Sequence, residues 1–225
     1  MKLKIREKMM FVALGFAAVG LTPLAASAAM VTVVHGINGS DLATAPGLPV
    51  DIAVNGSCAI KGLTFTKTTR VELGAGSYSV TVHPADGGCS KAPVITQTVA
   101  VPSSARYVGL VAHLSDARLP KLSAFVNDSE YPRSITVNNA AANSPLQAGA
   151  GSRGMILYYG NLLQNSEGIM LQAVDKPRRI SVVMFRHNRK RAFFNETFKM
   201  TKSRVFYVLG SKKSGLRVVS ETLGE

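Results

Sequence analysis

The chain has 225 residues, with 26 Lys and Arg against 13 Asp and Glu, a formal net charge of +13. With 46% apolar residues it can bury a core in one or two domains and is not a disordered chain. Its two cysteines exclude a disulfide-dense mini-scaffold, a four-cysteine zinc site and an iron–sulfur cluster.

The first element is a targeting segment. Lys2, Lys4, Arg6 and Lys8 form a basic start, Met9 to Leu21 an apolar run, and Ala26-Ser27-Ala28 a small-x-small cleavage site. This pattern reads as a signal peptide over residues 1–28. The apolar run is too short for a transmembrane anchor, since a spanning helix needs ~20 residues, and no later stretch reaches that length. The expected location is exported, periplasmic or extracellular. There Cys58 and Cys89 pair most simply as one disulfide, with a redox pair disfavoured by the lack of C-x-x-C spacing. Such a bridge contributes roughly 3–4 kcal/mol.

From residue 29 onward the pattern is β. Val31-Val33-His35, Val50-Ile52-Val54, Val71-Leu73 and Tyr78-Val80-Val82 alternate with other side chains, and Val94–Val101 and Arg106–Leu114 follow. Period-2 patterns put one face on a core. Asn38-Gly39, Asn55-Gly56, Gly74-Ala75-Gly76 and Asp86-Gly87-Gly88 supply the turns. Residues 131–152 then become small and polar and read as a linker or long loop. Strands resume at Met155–Tyr159, Ile169–Val174, Arg179–Phe185, Phe193–Met200, Arg204–Leu209 and Leu216–Ser220. The expected fold is all-β: two small β-sandwiches of immunoglobulin/transthyretin-like type, residues 29–130 and a shortened 153–225. The second half reads as a degenerate copy of the first. Met30–Gly36 compares with Gly154–Gly160, Tyr78–Val82 with Ile180–Met184, and Ser104–Val108 with Ser203–Val208.

Three stretches of the first half, Val31–His35, Leu48–Gly56 and Leu73–Val82, resemble a bacterial extracytoplasmic family of domains of unknown function, DUF4397. The resemblance covers residues 31–128 and implies an exported β-sandwich, with no agreed activity and no catalytic residues. The layout of two small β-sandwiches in an exported chain is similar to that of periplasmic alginate O-acetylation accessory proteins. That analogy implies an adaptor in exopolysaccharide modification or export.

Motifs for catalysis are sparse. His35, His83 and His113 lie near strand ends without the spacing of a metal site, and G-x-S-x-G is absent. Gly149 to Gly154 spells G-x-G-x-x-G but precedes a strand instead of opening a helix, so the dinucleotide reading fails. Asp51, opposite in parity to Val50 and Ile52, is expected to face solvent or bond a turn. No enzyme, metal or cofactor is predicted.

Charge is the informative signal. Residues 29–174 carry 9 Lys and Arg and 8 Asp and Glu, whereas residues 175–225 carry 13 and 4. The candidate binding residues are Lys176, Arg178, Arg179, Arg186, Arg189, Lys190, Arg191, Lys212 and Lys213. Lys199, Lys202 and Arg204 form a further basic turn. Up-and-down strand order would bring the Arg186–Arg191 and Lys212–Lys213 turns to one end, leaving Lys202 at the other. Phe185, Phe193, Phe194, Phe198, Phe206 and Tyr207 interleave with the cations as bases' stacking platforms would, but export disfavours cytoplasmic nucleic acid. Phe193 and Phe194 cannot both face inward in a regular strand, so one is exposed or at a bulge. The predicted function is non-enzymatic binding or assembly. The partner is an anionic envelope component: an acidic polysaccharide, lipopolysaccharide or phospholipid headgroup, or an acidic protein face.

Overall fold

The computed structural model describes residues 28–128, 131–152 and 155–224. Residues 1–27 of the expected signal peptide (1–28), and Arg153 and Gly154 of the glycine motif, lie outside the described residues. The described chain is all-β. The first eight strands are β1 (Ala29–His35), β2 (Val50–Val54), β3 (Ser57–Leu63), β4 (Thr68–Leu73), β5 (Gly76–Pro84), β6 (Ile95–Val101), β7 (Tyr107–Leu114) and β8 (Pro120–Val126). The next eight are β9 (Ser134–Asn139), β10 (Leu146–Ser152), β11 (Met155–Leu163), β12 (Glu167–Ala173), β13 (Arg178–Arg186), β14 (Ala192–Met200), β15 (Arg204–Ser211) and β16 (Gly215–Thr222).

They form four four-stranded sheets: β4-β1-β7-β8, β3-β2-β5-β6, β12-β9-β15-β16 and β11-β10-β13-β14. Adding eight to each strand number of the first two orders gives the other two. The parallel pair β1–β7 has its counterpart in β9–β15. The halves therefore share one topology, and the second is not shortened in strand number.

The repeat frame read from sequence needs one correction. The counterpart of β1 is β9, not the Gly154–Gly160 stretch, and residues 131–152 are not a linker, because they hold β9 and β10. Two polar side chains mark the equivalence. His35 ends β1, donates from Nε2 to the Leu48 carbonyl at 2.7 Å and accepts the Ile37 N–H at Nδ1. Asn139 ends β9, donates to the Ser144 and Leu163 carbonyls and accepts the Ala141 N–H. Each polar group buries itself by closing the loop to the next strand, so neither leaves an unpaired buried donor.

One core lies within each sandwich. Val31, Val33, Ile52, Val80, Val82 and Leu110 lead the first, and Ile135, Val137, Leu146, Ile180, Met184 and Phe206 the second. A third cluster joins the halves through Val34, Val111 and Phe125 on one side and Val205, Tyr207 and Leu209 on the other. The order of layers is therefore outer sheet, inner sheet, inner sheet, outer sheet. β7 and β15 are buried on both faces, which explains their near-continuous apolar runs.

The interface is also polar and specific. Asn127 Nδ2 donates to the Tyr207 hydroxyl at 3.1 Å, and Asn138 donates to Asn127 Oδ1 at 2.8 Å. The Tyr207 ring sits on Gly109, where an added Cβ would lie 2.3 Å from the hydroxyl oxygen. Burial, reinforced by the Glu221 carboxylate, holds the Tyr207 phenol well above its ordinary pKa. Thr32 Oγ1 donates to Glu221 Oε2 at 2.6 Å.

Candidate functional site: the basic hairpin of the second sandwich

The β13–β14 hairpin carries most of the predicted cations. Ile180, Val182 and Met184 of β13 face the second core, which puts Arg179, Ser181, Val183 and Phe185 on the opposite parity, with Arg179 exposed, Ser181 and Phe185 half-buried and Val183 buried. After Arg186 the chain turns through Asn188 in the left-handed region, with Arg189 N–H donating to the Arg186 carbonyl at 3.0 Å. Asn tolerates this conformation better than most residues. His187, Arg189, Lys190 and Arg191 are exposed, and Arg186 is half-buried.

β14 returns with a bulge: Met184 pairs with Phe194 and Phe185 with Ala192, so Phe193 has no partner in the ladder. The bulge lets Phe193 and Phe194 both pack against the second core. Phe198 joins them and stands 5.9 Å from Phe206, centroid to centroid. These rings belong to packing and do not form exposed stacking platforms.

The end of the sandwich is fixed by backbone bonds. His187 N–H donates to the Pro145 carbonyl and Ala142 N–H to the Gly210 carbonyl. The 187–191 turn, the β9–β10 loop and the 212–214 turn therefore lie at one end. Asp41, from a 3-10 turn at Gly39–Leu42 of the first sandwich, accepts Ser211 Oγ at 2.8 Å and Ser214 Oγ at 2.7 Å. The Lys213 and Ser214 N–H groups donate to Ser211 Oγ. Lys212 and Lys213 are held outward on this clamped turn and are exposed.

Six of the nine predicted residues thus share one end: Arg186, Arg189, Lys190, Arg191, Lys212 and Lys213. The other three, Lys176, Arg178 and Arg179, sit at the start of β13 with Lys199 and Lys202, roughly 25 Å away by strand rise. Arg204 leaves the predicted basic turn. Its guanidinium donates to Glu196 Oε1 at 2.7 Å and to Ser220 Oγ, and stacks 4.4 Å from the Phe198 centroid. Among the described residues the ion pairs are Arg70–Glu221, Lys91–Asp86 and Arg204–Glu196, so none of the six clustered cations has a carboxylate partner. Such a cluster raises local anion concentration and steers encounter.

The other candidates do not assemble. Cys58 and Cys89 form a disulfide. Asp51 lies beside it, and the carboxylate and both sulfurs fall within 4.8 Å of one another; bonded sulfurs are not thiolates, so this trio has no thiolate ligand to offer. Asp51 is not solvent-facing. It is buried and accepts the Gly62 N–H at 2.7 Å, where the β2–β3 register shifts at a bulge. His83 sits across from it, with Nδ1 donating to the Lys91 carbonyl and Nε2 2.7 Å from Thr81 Oγ1.

His113 lies on the interface face of β7, with Nδ1 donating to the Leu114 carbonyl and Nε2 2.8 Å from Ser123 Oγ. Burial, with Lys121 nearby, lowers its pKa to about 4. Burial likewise lowers that of His35. Each of the three histidines fixes a different loop or strand, and no three-histidine group forms among the described residues.

The interface also forms a cavity of about 470 Å³ that sequence reading did not find, lined by Arg106, Tyr107, Asn127, Tyr131, Lys202 and Leu223. Its residues come from both sandwiches, so no local motif marks it. No described helix is long and apolar enough to cross a membrane.

No family model and no curated protein matches the chain. Solved structures that align with the chain include a streptococcal virulence factor binding α-glucan, at 7% identity and TM-score 0.28 over 85% of this chain and 97% of that one. Streptococcal family 41 carbohydrate-binding modules recognising α-glucan align at 9% identity and TM-score 0.26, over 81% and 93%. A pneumococcal multi-modular glycogen-degrading virulence factor aligns at 7% and TM-score 0.27, covering 87% of this chain and 22% of that one.

Proposed function

We propose that the chain is an exported, non-catalytic binding module whose second sandwich docks an acidic polysaccharide of the cell envelope or its surroundings. The observation that carries this reading is the convergence of Arg186, Arg189, Lys190, Arg191, Lys212 and Lys213 at one end, with no carboxylate partner among the described residues. The clamp from Asp41 to Ser211 and Ser214 supports it, because one turn of the cluster is fixed before any partner arrives. The three buried histidines are each engaged in holding loops, and this supports a binding role over acid–base chemistry.

The test is charge reversal at the turn, R189E/K190E/R191E, read as affinity for polygalacturonate at low salt. A cation at an anionic surface contributes about 1 kcal/mol, so removing three costs about 3 kcal/mol and reversing them at least that, a loss of affinity of roughly 150-fold or more. Unchanged association would overturn the reading.

A further inference from the structure

We infer that the outer face of the β13–β14 hairpin is a track for a linear polyanion, joining the two basic ends of the second sandwich. This inference rests on the proposed anion-binding function and assigns it a substrate class: an extended acidic oligosaccharide, as distinct from a single anionic group.

Arg179 stands directly opposite Lys199 on the outer face, and both are exposed. Like charges directly across a pair of strands are destabilising, and an anion laid over both removes that repulsion. The next outward pair is Ser181 and Thr197, whose hydroxyl oxygens are 2.7 Å apart. The pair after that is Val183 and Asn195; Val183 is buried, so only the Asn195 amide is presented at this step. Phe185 follows, and then the Arg186–Arg191 turn.

The outer face thus reads cation pair, hydroxyl pair, amide, ring, cation cluster. From Arg179 to Arg186 it runs roughly 23 Å at strand rise. The hairpin's own carboxylate is turned away from this face. Glu196 lies on the sandwich side, held by Arg204 at 2.7 Å. The outward side chains from Arg179 and Lys199 to the turn therefore include no acidic group.

Charge at both ends with neutral donors between fits a chain of regularly spaced carboxylates and hydroxyls. A lone anion would use one end only. Single-stranded nucleic acid fits less well, because it gains affinity from exposed aromatic platforms, and Phe193, Phe194 and Phe198 are packed against the core.

The experiment titrates the disulfide-intact mature protein with oligogalacturonates of increasing length at low salt. The expected result is an affinity gain of at least tenfold between a dimer and an oligomer long enough to reach from the turn to Arg179. In R179E/K199E that gain should vanish. Lys61, exposed on β3 of the first sandwich, gives the control: K61E should retain the gain.

A gain absent from the wild type, or reduced equally in K61E and R179E/K199E, overturns the track while leaving turn-end binding intact. Binding of neither dimer nor long oligomer overturns the proposed function and the track with it. Tighter binding of a single-stranded oligonucleotide of equal charge, lost in R179E/K199E, overturns the polysaccharide assignment.

Discussion

The seat of Tyr207 on Gly109 predicts that the two sandwiches unfold as one unit, and a double-mutant cycle tests the contact. A methyl added at Gly109 would lie 2.3 Å from the Tyr207 oxygen and 2.6 Å from Cε1. The ring cannot swing aside, because it is 1% exposed and its hydroxyl accepts a hydrogen bond from Asn127. Overpacking of this kind costs about 1–3 kcal/mol. Replacing glycine by alanine within a strand returns roughly 0.5–1 kcal/mol, so Gly109→Ala should cost about 1–2 kcal/mol in the wild type. Tyr207→Leu should cost about 3–4 kcal/mol, from the volume lost and from the Asn127 donor left unpaired. With the ring gone the methyl has room, and Gly109→Ala should then be neutral or stabilising. The cycle therefore carries a coupling of about 2 kcal/mol. Equilibrium urea unfolding followed by circular dichroism measures all four proteins. Additive costs would refute the close approach of ring and backbone, and two separated transitions in the wild type would refute the single unit.

Three further outcomes follow from the same geometry. His113 has a pKa of about 4 in the fold against 6.5 outside it, so the unfolded chain binds the extra proton between those values. Stability present above pH 6.5 should fall by up to about 3 kcal/mol toward pH 4, and H113Q should flatten the curve; equal pH slopes would contradict this. C58S/C89S should lose about 3.7 kcal/mol, the loop entropy of a separation of 31 residues. A stability change under about 1 kcal/mol, or alkylation of the unreduced protein, would count against it. Asn139→Ala leaves the Ala141 N–H and the Ser144 and Leu163 carbonyls without their partner. It should cost about 2–3 kcal/mol, and a negligible effect on the urea midpoint would remove the argument that Asn139 closes its loop as His35 does.

The β class was legible because most strands alternate one apolar face with a polar one, as Val31-Thr32-Val33 and Ile180-Ser181-Val182 do. The strands missed are those whose residues conceal their burial. β9 ends in Asn138 and Asn139, both buried, whose side chains bond within the interface and the loop instead of meeting water. β10 reads Leu-Gln-Ala-Gly-Ala-Gly-Ser, with low β-propensity, yet Ala148 and Ala150 belong to the second core. β3 is broken by register shifts, and β8 opens on proline at a sheet edge. Missing β9 and β10 shifted the repeat frame and made a complete sandwich look truncated.

The basic end was legible because charge is a property of composition and the turn residues are exposed. The bulge at Phe193–Phe194 was legible too, since two adjacent rings cannot share one face of a regular strand. The roles of Arg204 and Asp41 were not, because their partners Glu196, Ser211 and Ser214 are brought to them only by tertiary packing.

The most direct test of the anion-binding account is the salt dependence of binding to polygalacturonate, with neutral α-glucan as the parallel ligand. Affinity for the polyanion should fall steeply as salt rises, because each phosphate-like or carboxylate contact screens and releases counterions, and the neutral glucan should not bind. Salt-independent binding, or equal affinity for the neutral polymer, would contradict the account.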